Sequence, residues 1–227
     1  IVALGVSATS CDSKKSANLK TSVDSASYAI GVANGSMFKQ NLDGMPGGPA
    51  NVDALLAGFE AAMKGDSTGL KMTPEQAQTY LNTYFVEAQA RDANKTKEEG
   101  EKFLAENKAK EGVITTESGL QYKVETEGTG AKPTAEDQVK VHYTGTLLDG
   151  TKFDSSVDRG EPAVFGVGQV IKGWTEILQI MPVGSKYVIW VPSDLAYGEH
   201  GTRGIKPNSV LKFEVELLDI VKDDQKK

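Results

Sequence analysis

The hydrophobic period changes once along this chain of 227 residues, and that change restricts the folds open to it. Through residues 24–111 apolar side chains recur every three or four positions, the period of a helix with one buried face. From residue 113 to residue 222 they alternate instead. Val139, Val141 and Tyr143 are interleaved with Lys140, His142 and Thr144, and Leu211, Phe213, Val215 and Leu217 with Lys212, Glu214 and Glu216. Leu120–Val124 and Lys186–Val191 read as further strands, and one short helix fits between them, Gly173 to Ile180, closed by Pro182 and Gly184. An antiparallel sheet wrapped around one short helix, preceded by helices, is an α+β arrangement.

Three helices are predicted before the sheet. Asp24 can cap the first, whose stripe is Ala26, Ile30, Ala33 and Met37, and the run Met45-Pro46-Gly47-Gly48-Pro49 ends it. The second carries Val52, Leu55, Leu56, Phe59, Ala62 and Met63 at helical spacing and stops at Gly65. The third opens on Thr73 as N-cap, Pro74 in the first helical position and Gln76 completing a capping box. No proline interrupts it before Glu111, so it would run about 57 Å at 1.5 Å per residue. Its first half has an apolar stripe through Ala77, Tyr80, Leu81, Tyr84, Phe85 and Ala88; Asn94 to Lys102 is polar all round, with Gly100 as a weak point. A helix polar on every side reads as a solvated bridge between domains. The helical part offers more apolar stripe than about 65 residues bury alone, which leaves two readings, a dimer that shares a core and a compact monomeric bundle.

Composition narrows the chemistry. A formal charge of −6 and the absence of a basic stripe argue against nucleic acid as a partner. A single cysteine, Cys11, excludes an intrachain disulfide framework, and with only His142 and His200 no Cys/His zinc site can form. Neither a metal nor a cofactor is expected. The chain begins at Ile1, and its first six residues are apolar but far short of the ~20 needed to cross a bilayer. Ser7, Ala8, Thr9, Ser10 and Cys11 follow. This reads as the end of a signal peptide, and a small-residue run ending in cysteine resembles the bacterial lipoprotein cleavage site, which would make Cys11 a lipidation site. An incidental free thiol is the plainer alternative.

Four segments, Val141-His142-Tyr143-Thr144-Gly145, Lys152-Phe153-Asp154-Ser155-Ser156, Val170-Ile171-Lys172-Gly173-Trp174 and Leu195-Ala196-Tyr197-Gly198, follow one another at fixed spacing. In that order they resemble the FKBP-type peptidyl-prolyl isomerases, over about residues 118–221. Upstream, Ser27–Gly31, Phe59–Gly65 and Phe103–Asn107 resemble the N-terminal domain of the macrophage infectivity potentiator group. The resemblance implies a tether through residue 23, a helical dimerisation domain over 24–90, a connecting helix over 91–112, an isomerase domain over 113–222 and a charged tail over 223–227. It implies a homodimer in the bacterial cell envelope, periplasmic or held at the membrane only by lipid at Cys11. The expected activity is peptidyl-prolyl cis-trans isomerisation that accelerates the folding of envelope proteins, with chaperone activity from the helical dimer. Proline-containing polypeptides are the expected partners, and macrolide inhibitors are candidate ligands.

Carried over residue by residue, the resemblance makes Asp154 and Tyr197 catalytic. Tyr143, Phe153, Phe165, Val170, Ile171, Trp174, Ile205 and Phe213 become the substrate-binding pocket. Taken singly, the aromatic residues read as core, Asp154 as a turn cap and Tyr197 as a loop anchor; their joint spacing carries the functional reading. His142, opposite in phase to its neighbours, is read as structural and His200 as solvated. The chain departs from the family pattern at Lys206, where the first proline of a Pro-Pro pair is common, and at Ala163, which is aromatic in some relatives.

Overall fold

The computed structural model describes residues 17–66 and 68–221. Cys11 and residues 223–227 lie outside them. The chain divides into two compact units, Ile1–Thr79 and Tyr80–Lys227.

The first unit is helical. Helix α1 spans Ser22–Leu42 and α2 spans Val52–Met63. The cap of α1 is Thr21 rather than Asp24: Asp24 N–H donates to Thr21 Oγ1 (3.1 Å) while Thr21 N–H donates to Asp24 Oδ2 (2.8 Å). Both residue types cap well, and the reciprocal box settles the start three residues upstream. Asn51 caps α2 by accepting from Ala54 N–H, and Gly65 follows it at φ 64°. Neither α1 nor α2 buries a single side chain. Val23, Tyr28, Ile30, Met37, Phe59 and Met63 are all more than half exposed. Periodicity has built helices whose apolar faces the other described residues do not cover.

Helix α3, Pro74–Asn107, starts in the first unit and continues into the second. Its capping box is as the sequence predicts, with Thr73 N–H donating to Gln76 Oε1 at 2.8 Å and Gln76 N–H to Thr73 Oγ1 at 3.3 Å. The polar stretch is exposed over most of its length, but it is not solvated on every side. Thr96, Gly100, Phe103, Leu104 and Asn107 form one helical face turned toward the sheet of the second unit, with Gly100 and Asn107 buried. A Cβ on Gly100 would lie 2.8 Å from Val210 Cγ2, so the missing side chain is what lets the helix approach. Asn107 Nδ2 donates to Gln121 Oε1 (2.9 Å), and Gln121 Nε2 donates to the Leu104 carbonyl (2.8 Å).

The second unit is one antiparallel sheet of seven strands: β1 (Val113–Thr115), β2 (Gln121–Thr126), β3 (Gln138–Leu147), β4 (Lys152–Ser155), β5 (Ala163–Gly166), β6 (Lys186–Val191) and β7 (Leu211–Val221). Their order is β1-β2-β6-β7-β3-β4, with β5 also paired to β3. Two helices interrupt the strands, where one was expected: α4 (Ser156–Arg159) and α5 (Lys172–Leu178). Alternation decides which face is buried. Val139, Val141 and Tyr143 of β3 and Phe213, Val215 and Leu217 of β7 join Trp174, Ile177 and Leu178 of α5 in a single core.

Candidate active site

The site begins with a register. On β3, Gly145 pairs with Phe213 of β7 on one side and Asp154 of β4 on the other, while Tyr143 pairs with Val215. Paired residues share a face, so Tyr143, Phe213 and Asp154 converge on the same side of the sheet. A Cβ on Gly145 would sit 2.7 Å from Phe153 Cζ and 2.9 Å from Phe213 Cε1. Glycine here leaves room for two rings to meet edge to face at 5.6 Å.

Trp174 lies at the centre. It is carried by α5, whose start follows Val170 and Ile171, and Gly173 lets the helix close against Val191. Its indole contacts three rings nearly at right angles: Tyr143 at 5.2 Å, Phe213 at 5.3 Å and Phe165 at 5.8 Å. Edge-to-face pairs of this kind contribute about 0.5–1.5 kcal/mol each beyond their burial, so the box is held by its own geometry. Ile205 is buried in the same cluster, and Phe153, Phe165, Val170 and Ile171 pack against it half-buried. Trp174 Nε1 is buried with no acceptor among the described residues.

A polar corner closes one side of the box. Tyr143 hydroxyl donates to Asp154 Oδ2, and Arg159 donates through Nη1 to Asp154 Oδ1 (2.5 Å) and through Nη2 to the Tyr143 hydroxyl oxygen (3.1 Å). The guanidinium also lies 5.7 Å from the Tyr143 ring centre. Burial by itself raises the Asp154 carboxyl, but the hydrogen bonds from Tyr143 and Arg159 and the guanidinium charge outweigh it and hold the carboxyl below its ordinary value. Burial, followed by the bond to the carboxylate, pushes the Tyr143 phenol up. The hydrogen bond to Tyr143 and then that to Asp154 raise Arg159. The proton therefore stays on Tyr143, and the corner is a fixed carboxylate, phenol and guanidinium.

Sequence reasoning missed Arg159. It is the last residue of α4, a single turn that Ser155 caps by accepting from Asp158 N–H (3.2 Å) and Gly160 ends at φ 78°. Buried Ser156 fastens that turn to β3, accepting from Tyr143 N–H at 2.8 Å and lying 3.1 Å from His142 Nδ1. His142 is held beside that turn, and His200 is exposed. An aspartate five residues before an arginine, with a capping serine between them and a glycine after, was the available signal.

Tyr197 is placed differently from the other residues singled out. It stands between two 3-10 turns, Ser193–Leu195 and Gly198–His200, is 41% exposed, and its hydroxyl has no partner among the described residues. No group of His, Cys, Asp and Glu among those residues is arranged to hold a metal.

The aromatic box and the charged corner set an apolar cluster beside one polar side. Comparison with known proteins decides what such an arrangement belongs to. The family profile described as FKBP-type peptidyl-prolyl cis-trans isomerase matches residues 129–218, and that of the domain amino-terminal to it matches residues 23–124. The chain is 50% identical to the FKBP-type peptidyl-prolyl cis-trans isomerase FkpA of Aeromonas hydrophila, over 91% of this chain and 79% of that one. The chain belongs to the FKBP-type peptidyl-prolyl cis-trans isomerases.

Within this isomerase family, it is 43% identical to the outer membrane protein MIP of Legionella longbeachae, over 90% of this chain and 88% of the other. The crystal structure of FkpA from Escherichia coli matches with a TM-score of 0.70 and 34% identity, covering 88% of this chain and 97% of that one. An FKBP-type isomerase rotates X-Pro bonds against a barrier of about 18–20 kcal/mol that amide resonance imposes. The Trp174 box lies within the matched segment, and this chemistry needs neither a nucleophile nor a metal.

Proposed function

We propose that this isomerase accelerates the folding of cell-envelope proteins, with Asp154 and Tyr197 acting on the twisting amide and the Trp174 box receiving the proline. The observation that carries the reading is the junction of an apolar box with a permanently charged corner. An amide loses its resonance dipole as it twists, so an apolar surround favours the twisted form over the planar, better-solvated one. Pyrrolidine then packs on Trp174 between Phe153, Phe165 and Phe213, with Tyr143, Val170, Ile171 and Ile205 completing the cleft. Asp154, fixed by Arg159, orients polar groups beside the rotating bond. The free Tyr197 hydroxyl donates to a substrate carbonyl.

The helical unit supplies the second half of the reading. Apolar faces as exposed as those of α1 and α2 are unusual on a monomer and fit a second copy of the same chain. A homodimer through residues 24–90 pairs two clefts with apolar helical surface and so holds an unfolded chain near both. An envelope location is supported by the outer membrane protein among its relatives. Lipid at Cys11 is the proposed anchor, since no helix among the described residues is long and apolar enough to cross a membrane.

One experiment separates these parts. The full chain, Phe59→Glu in α2 and Asp154→Ala are compared in a protease-coupled assay on an X-Pro tetrapeptide and in refolding of a proline-limited protein. Asp154→Ala should lose about ten-fold in both, equivalent to ~1.4 kcal/mol. Phe59→Glu should keep the peptide rate and lose roughly ten-fold in refolding, because two linked clefts raise the effective concentration of a captured chain's prolines. Equal refolding by Phe59→Glu would reduce the helical unit to a spacer, and an unaffected Asp154→Ala would remove the charged corner from the reaction.

A further inference from the structure

The segment between β6 and β7 carries both Tyr197 and Ile205, and its attachment differs from that of the rest of the site. Thr202 and Ile205 exchange two backbone hydrogen bonds of 2.9 Å across a turn with Gly204 at φ 81°. Gly201 lies at φ 61°, where a Cβ would stand 2.4 Å from the Ile205 carbonyl oxygen. The loop is thus closed on itself. Ile205 packs into the core, and the loop's side-chain hydrogen bond to α3 comes from Asn208, the one non-glycine residue with positive φ (61°) among those described.

Asn208 makes two bonds in opposite directions. Its backbone N–H donates to the Gly198 carbonyl at 2.9 Å, fastening the residue next to Tyr197. Its Nδ2 donates to the Ala93 carbonyl of α3 at 3.1 Å, a contact spanning 115 positions of sequence. Seven residues along the same face of α3, Gly100 abuts Val210 and its Cβ position lies 3.8 Å from the Asn208 carbonyl oxygen. Asparagine tolerates the left-handed conformation better than other side-chain-bearing residues and alone adds an amide donor there.

We infer that Asn208 is a positioning residue of the isomerase reaction: it ties the loop bearing Tyr197 and Ile205 to α3, so that the helix fixes one rim of the cleft. The inference rests on the proposed role of Tyr197, and it assigns a catalytic consequence to the part of α3 nearest the sheet. It acts on the bound substrate through Tyr197 and Ile205, without touching it.

Asn208→Gly keeps the left-handed backbone and the bond to Gly198 while removing the bond to Ala93; Asn208→Ala also strains the backbone and is the variant more prone to misfold. In the full chain, Asn208→Gly should lower kcat for an X-Pro peptide about three- to ten-fold, the range set by one neutral hydrogen bond, with KM changed less than two-fold. Tyr197→Phe is measured alone and in the Asn208→Gly background. Alone, a loss of activity upholds the role of Tyr197. In combination, the two losses should be less than multiplicative, because a released Tyr197 has already surrendered its contribution. Wild-type kcat in Asn208→Gly, a change confined to KM, or losses that simply multiply would each overturn the inference while leaving the role of Tyr197 standing. An inert Tyr197→Phe would overturn both.

Discussion

Replacing Gly145 by alanine tests whether the register of β3 builds the cleft. The new methyl would stand 2.7 Å from two atoms of Phe153 and 2.9 Å from Phe213. Carbon atoms rest at about 3.5–4.0 Å, so Phe153 must retreat by about 0.8 Å or more and Phe213 by about 0.6 Å or more. Phe213 is 5% exposed and packed on Trp174, whereas Phe153 is only half-buried, so Phe153 takes the larger displacement. Its edge-to-face pairing with Phe213 is then lost, and overpacking of this kind costs about 1–3 kcal/mol. For a unit of this size that is a fall in Tm of about 3–10 °C. Displacing a wall of the cleft by nearly 1 Å should lower kcat/KM for an X-Pro peptide by about 10- to 100-fold. Phe153→Leu relieves the closer of the two clashes, so the double variant should be more stable than the sum of the two single changes allows, by about 1 kcal/mol. Calorimetry and the protease-coupled assay on the four proteins measure both quantities. Unchanged Tm and activity in Gly145→Ala, or strict additivity in the double variant, would refute the packing argument.

The charged corner sets a pH dependence. Asp154 titrates below the free aspartate value of 3.8, so its stabilising contribution is complete above that value and fades as pH falls through the lowered one. Tyr143 titrates above 10.0, so its contribution is complete below that value and fades as pH rises through the raised one. Peptide kcat/KM and the Tm share of the corner should therefore be flat from about pH 5 to about pH 9. A step in that window that disappears in Asp154→Asn would contradict the assignment. Arg159→Leu, which strips the corner of its cation, should lower activity nearly as far as Asp154→Ala, and normal activity would make the guanidinium a bystander. Sedimentation of the full chain should show a dimer at micromolar concentration and Phe59→Glu a monomer; a monomeric parent would end the dimer proposal. Expressed with a complete signal, the protein should enter the membrane fraction and Cys11→Ala should not, while equal solubility of the two would exclude the lipid.

Where the sequence was legible, the physics was local or periodic. Thr73, Pro74 and Gln76 start α3 through bonds among neighbours, and the alternation of Phe213, Val215 and Leu217 marks a half-buried strand. The Trp174 box was legible only through the joint spacing of four motifs, because each ring alone reads as core. What was missed depends on contacts without a hydrophobic signature. The stretch from Thr96 to Asn107 docks through a missing side chain at Gly100 and through amide bonds to Gln121 and Leu104, none of which produces an apolar stripe. Arg159 reaches Asp154 only because Ser155 and Ser156 fold one turn of helix back onto β3, and that closure is tertiary. The first cap moved from Asp24 to Thr21 because two good capping residues three apart form one box.

In the proposed reaction the box and the corner make different contributions. Burying pyrrolidine carbons against Trp174 is worth about 0.8 kcal/mol for each methylene, but planar and twisted proline are buried almost alike. Such uniform binding lowers KM and leaves the barrier where it was. Only what distinguishes the twisted amide can raise kcat, and even a 10⁴-fold acceleration needs only about 5.5 kcal/mol. On the proposed reading the discriminating groups are few: water exclusion by the box, the carboxylate that Arg159 keeps ionised, and the Tyr197 donor on a loop tied to α3. Trimming the rings should therefore act first on KM, while the groups that respond to the lost dipole should act on kcat. The rings are fixed by a strand register and mutual edge-to-face packing, whereas two of the polar groups depend on short connections, α4 and the loop anchored at Asn208. Precision in the sheet therefore does not by itself guarantee rate, and the slender attachments at Ser156 and Asn208 are where small structural changes should alter catalysis without unfolding the protein.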